Sequence, residues 1–194
     1  MYKNYDQVYK VSEKLNNAIH IKYRFPVNVF TSSWNEFLFF DSDWIFEKEF
    51  IALTKNLIEI EGSVCAYIFN LDEMLAHIDM ERSSFLINKE TTEQWYQTFL
   101  QGANIGEGWI YGMDRFGIIS DAAEWCIYSE KGNEIAVIAF HNHNFINKIT
   151  SIIDMLGALP IKKAIDKPLS YGFTQRALSL EWRNQLLKAY SNNR

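Results

Sequence analysis

Cysteine is scarce in this chain: two occur among 194 residues, Cys65 and Cys126, each inside an apolar run (VCAYIF and WCIY). That placement argues for buried thiols rather than a disulfide framework, and for a reducing compartment. Long hydrophobic runs are also missing, since no segment approaches the roughly 18 apolar residues of a membrane span. The N-terminal MYKNYDQVYKVSEKL interleaves charges where a secretory signal needs an unbroken apolar stretch, so a cytoplasmic protein without membrane association is expected. Excess positive charge is lacking as well. The formal net charge is −5 and the pI about 5.4, so the chain as a whole supplies no attraction to a phosphate backbone, and direct nucleic-acid binding is not expected. Internal repeats and low-complexity blocks are absent.

What is present is material for one sizeable core. Hydrophobic residues make up 48% of the chain and aromatic residues 15%, which favours one compact domain over residues 1–194 and leaves little room for disorder. Asp6 can cap a helix with Val8, Val11, Leu15 and Ala18 at helical spacing. IKYRFPVNVF alternates like a strand, with Pro26 placing it at an edge or bulge. TSSWNEFLFF reads as an aromatic loop. A helix through WIFEKEFIALTKNL, started by Ser42 or Asp43, follows with Ile45, Phe46, Ile51, Leu53 and Leu57 on its buried side; Gly62 and Ser63 stop it before a strand, VCAYIF.

Further on, Asn70 to Met80 is expected to be a short helix begun by Asn70 or Asp72. TTEQ matches a capping box in which Thr91 and Gln94 open a helix that ends at Gly102. GEGWIYGMDRFGIIS reads as one glycine-punctuated strand or two short ones. WCIY and EIAVIAF then form an antiparallel hairpin, Trp125 to Tyr128 against Glu134 to Phe140, across the turn SEKGN. Both alternating faces of EIAVIAF are apolar, as a central strand covered on both sides requires. FINKITSIIDML is helical by period and ends at Gly157 and Pro160. Residues 160–173 resemble a connector, and a last helix over 174–190 places Ala177, Leu180, Leu187 and Tyr190 along one face. The fold expected is α+β: a central, mainly antiparallel sheet with a meander around 109–140, packed by several helices.

Motifs for catalysis or cofactor binding are weak. His141 and His143, at i and i+2, would project to one side of extended backbone and could share a metal, but Asp121, Glu124 and Asp154 stand at no recognised ligand spacing. No metal or cofactor is therefore expected. GANIGEGWIYG follows a helix instead of a strand and does not give the dinucleotide glycine pattern. Acids alternating with aromatics in WNEFLFFDSDWIFE suit an interface in which aromatic anchors sit beside charges that select a basic partner.

The block GWIYGMDRFGIISDAAEWCIYSEKGNEIAVIAF resembles the central sheet of small, acidic bacterial immunity proteins that protect cells from polymorphic or contact-dependent growth inhibition toxins. That resemblance implies a non-catalytic protein that neutralises one cognate toxin domain, often a nuclease, in a one-to-one complex. The residues expected to meet such a basic partner are Asp114, Asp121, Glu124 and Glu130, which lie at or beside strand ends where side chains can face solvent on a rigid support. Two alternatives stand beside it: a small hydrolase or transferase whose cleft uses His141, His143 and a carboxylate, and a non-catalytic adaptor.

Overall fold

The computed structural model describes residues 5–76, 82–102, 104, 108–141, 143–165 and 179–191. Among them, six strands form one antiparallel sheet. They are β1 (Glu36–Asp41), β2 (Ala66–Asn70), β3 (Ser84–Ile87), β4 (Arg115–Ser120), β5 (Trp125–Glu130) and β6 (Ile135–Phe140), in the spatial order β1-β6-β5-β4-β2-β3. The chain is thus α+β, and β4, β5 and β6 are the expected meander. Trp125 faces Phe140 and Glu130 faces Ile135, so the hairpin is longer, and its turn tighter, than the expected five-residue SEKGN turn.

Both faces of the sheet are covered, which accounts for strands that are apolar on both sides. On one face Tyr67, Phe69, Cys126, Tyr128 and Val137 pack against Val8, Val11 and Leu15 of α1 (Tyr5–Ala18). Leu186 and Tyr190 of α9 (Leu180–Ser191) complete that layer. On the other, Ile68, Phe116, Ile118, Ile127 and Ile138 meet Phe50, Leu53 and Leu57 of α2 (Glu49–Glu61), Tyr96 and Leu100 of α4 (Glu93–Gln101), and Ile152 and Leu156 of α7 (Thr150–Leu156). Shorter helices are α3 (Leu71–Leu75), α5 (Trp109–Gly112), α6 (His143–Lys148) and α8 (Ile161–Ala164). Both cysteines are free and buried. No helix among the described residues is long and apolar enough to cross a membrane.

Local signals explain most boundaries. The Asn70 side chain accepts the N–H groups of Asp72 and Glu73 and opens α3. Gly62 and Gly157 stop α2 and α7 with φ of 81° and 60°, the left-handed conformation that glycine adopts without penalty. Gly117 matters through its missing side chain: a Cβ there would sit 3.0 Å from methyl groups of Leu15 and Leu71, so α1 and α3 lie directly on β4.

Several expectations are corrected. EFLFFD is a strand instead of part of a loop, because both of its faces are buried and it pairs with β6. Residues 21–29 form turns instead of a strand; Ile19 and Phe30 meet in an isolated bridge, and the segment between is held by side chains from the sheet. Ser42–Phe46 is a separate 3-10 turn, capped by Asp41, ahead of α2. Thr92, not Thr91, caps α4, since the Thr91 hydroxyl already accepts the Asn88 N–H. The strand at 84–87 has no counterpart in the sequence reading. GWIYG contains a helical turn, and FINKITSIIDML is two helices broken at Ile149. Leu180, expected on a buried face, is 74% exposed at the start of α9. The second half of the expected 70–80 helix, most of the 160–173 connector and the beginning of the 174–190 helix lie outside the described residues.

Candidate functional site

The antiparallel pairing sends the four candidate carboxylates to two different places. Asp114 and Glu130 lie at one end of the sheet, where β4 begins and β5 finishes; Asp121 and Glu124 lie in the β4–β5 turn at the other. Six-residue strands separate these ends by roughly 20 Å. They do not form one surface, which corrects the expectation of a single acidic patch.

The first end is a network of charges that fixes residues 21–25. Arg115, with 3% exposure, donates from Nε and Nη2 to one oxygen of Asp72 at 2.7 and 2.6 Å and from Nη1 to the Ile21 carbonyl at 2.8 Å. Arg24 bridges Asp114 at 2.6 Å and Asp72 at 3.4 Å. Asp114 also accepts the Gly132 N–H at 2.8 Å. Burial works against the Asp114 carboxylate, but the Arg24 hydrogen bond, the Gly132 N–H and the charges of both arginines outweigh it and hold its pKa below the ordinary Asp value. Asp114 is therefore an ionised, 40% exposed side chain on a rigid mount.

Glu130 is different from expectation. It is 2% exposed, accepts the Phe25 N–H at 2.7 Å and the Tyr128 hydroxyl at 2.6 Å through Oε1, and takes the Asn133 amide on Oε2. Burial pushes its pKa upward, against the pull of these hydrogen bonds and of Arg24. It faces the interior because Phe25 closes over the strand end, so it anchors the 21–25 segment and presents nothing to solvent.

Around this network, carboxylates outnumber cations. β1 ends at the same side of the sheet, bringing Asp41, and Asp43 of the turn that follows, next to Glu134 through the Ser42 N–H to Glu134 carbonyl bond. Of the acids at this end, Asp72 and Asp114 pair with Arg24 or Arg115, and Glu130 feels the charge of Arg24. Lys131 is itself engaged, donating to the Ile110 carbonyl and lying 5.3 Å over the Phe46 ring. Tyr23 (47% exposed), beside Arg24, and Tyr111 (57% exposed), three residues before Asp114, add accessible aromatic surface.

At the other end, acids act as fasteners. Asp121 accepts the N–H groups of Val64 and Cys65 at 3.0 and 3.3 Å. Glu61 ties the end of α2 to the β4–β5 turn by accepting the Ser120 hydroxyl, the Glu124 N–H and the Trp125 indole N–H. The Glu124 side chain is exposed. Ala123 holds a left-handed φ of 65°, with its N–H on the Ser120 hydroxyl.

The premise of a shared histidine site fails on backbone geometry, because β6 stops at Phe140 and His143 already opens α6. His141 stacks on Trp34 at 3.9 Å with Nδ1 3.0 Å from the Ser33 carbonyl oxygen, whereas His143 Nδ1 lies 3.5 Å from Glu36. Among the described residues no three His, Cys, Asp or Glu side chains are grouped so as to hold a metal ion. Burial and neighbouring charge push the Cys65 thiol up to about 12, and burial alone raises Cys126, so neither is disposed to act as a thiolate nucleophile at neutral pH.

Sequence reasoning missed Arg24, Arg115 and Asp72, which organise the acidic end. The available signal was Arg115 itself, a cation opening an otherwise apolar strand, where burial demands a carboxylate partner. No protein-family model, curated protein or solved structure matches this chain.

Proposed function

We infer that this chain is an immunity-type inhibitor that binds one basic toxin domain through the acidic end of its sheet. The observation that carries this reading is the construction of that end: Asp114 kept ionised and accessible, with exposed Tyr23 and Tyr111 nearby, beside a segment fixed by Arg115 on the Ile21 carbonyl and by buried Glu130 on the Phe25 N–H. Rigid carboxylates steer a cationic partner into place, and tyrosines supply contact area at small cost in side-chain entropy. Asp43 and Glu134 extend the acidic rim, and neither makes an ion pair with the described residues. Asp121 and Glu124 are too distant to share this contact.

Co-expression with the C-terminal domain of a large secreted protein encoded beside the gene tests the reading. A one-to-one complex that protects the cells is the expected outcome. Asp43→Lys combined with Glu134→Lys should slow association on the order of tenfold at low salt while leaving the fold intact. Two folded proteins that neither associate nor change each other's effect on cells would overturn it.

A further inference from the structure

At the end of the sheet opposite the acidic one, α1, the Ser33–Trp34 segment, the β4–β5 turn and His141 line an open surface recess of about 200 Å3. Lys14, Asn17, Ser33, Trp34, Ala123 and His141 are among its lining residues, and none of the lining residues is a carboxylate.

Two of its polar side chains are held in place by contacts within the protein. Lys14 gives one N–H to the Asp121 carbonyl, which fixes the ammonium and leaves two donors, and it makes no ion pair with the described residues. His141 lies flat on Trp34, with an interplanar angle of 19°, and its Nδ1 must carry hydrogen to meet the Ser33 carbonyl; the ring is thereby oriented as a wall of the recess, and in the neutral imidazole Nε2 is an acceptor, not a donor. The Ala123 wall is set by the Ser120–Glu61 contacts beneath it. The volume is several times that of a water molecule, about 30 Å3, and below the roughly 300 Å3 at which pockets for drug-sized ligands begin.

We propose that this recess binds a small oxyanion, a carboxylate or a phosphate, with Lys14 supplying the charge and two N–H donors and the Asn17 side-chain amide supplying another. The recess lies a strand's length from the acidic end, so its occupancy does not depend on the toxin partner.

Two-dimensional NMR of the full chain, titrated with inorganic phosphate and separately with acetate against sodium chloride at matched ionic strength, tests this. Saturable shifts centred on Lys14, Asn17, Ser33 and His141 are expected, with the tighter of the two anions identifying the ligand class. Lys14→Met should weaken binding by on the order of tenfold or more. Ser33→Asp, at an exposed position, should abolish it by placing a negative charge in the recess, and it keeps the test decisive should Lys14→Met fail to fold. Shifts that grow linearly and match those of chloride, or saturable binding that survives Ser33→Asp, would overturn the proposal.

Discussion

The buried Glu130 carboxylate accepts the backbone N–H of Phe25 across 105 residues of sequence at 2.7 Å. One carboxylate thus satisfies an interior donor of a segment that has no strand partner of its own. Replacing it with Ala would leave that N–H without an acceptor, at a cost of about 1–3 kcal/mol in urea denaturation. The Gln variant retains an acceptor and should be close to wild type.

The same residue sets a pH dependence. Its folded-state pKa is raised, so it contributes stability below the ordinary Glu value of 4.5 that is lost as pH climbs through the folded value. The stability difference between Glu130→Gln and wild type should therefore move in favour of the variant as pH rises through that window, then level off. Movement toward wild type would show that the hydrogen bonds outweigh burial.

Asp114 carries the opposite sign. Its folded-state pKa is depressed, so the stability it contributes is present above the ordinary Asp value of 3.8 and disappears as pH falls through the lower folded value. Wild type should exceed Asp114→Asn by about 1 kcal/mol or less near neutrality, because the Arg24 pair is largely solvated, and that margin should vanish in acid. A margin independent of pH would show that the charge of Asp114 contributes nothing to stability.

Gly117→Ala should destabilise the protein by about 1–3 kcal/mol, since the added methyl meets Leu15 and Leu71 at 3.0 Å in a filled core. Leu15→Ala makes room for it. Thermal denaturation of the double variant should show a loss smaller than the sum of the two single losses, and strict additivity would mean that the helix does not rest on this glycine.

Ile138→Asp places a charge at the centre of β6, fully buried between both layers. Unfolding or insolubility is expected. A soluble variant with a near-native melting temperature would contradict the strand's position.

The meander was legible because Ile135, Val137 and Ala139 alternate with Ala136, Ile138 and Phe140 and all six demand cover. α1 was legible because Val8, Val11, Leu15 and Ala18 need only local periodicity. β1 was not, since FLFF is apolar without alternation and becomes a strand only when β6 is beside it. Residues 21–29 failed in the reverse direction: they alternate as a strand does, but Arg115 and Glu130 secure their backbone groups from far along the chain. The candidate acids show the same division. Their proximity to strand ends followed from the pattern, whereas the inward turn of Glu130 depends on Phe25, and the partition of the four between two ends follows from the pairing of β4 with β5.

The sheet order also sets a schedule for synthesis. β5 and β6 are neighbours in sequence and can pair soon after both are made, but β1, near the start of the chain, bonds to β6 on one edge and to Leu159 on the other. Roughly a hundred residues must be added before its first hydrogen-bonding partner exists, and such distant contacts are slow to close. During translation the aromatic FLFF segment therefore stays without its strand partner until most of the chain has been made, and it stands to gain from a chaperone in the interval.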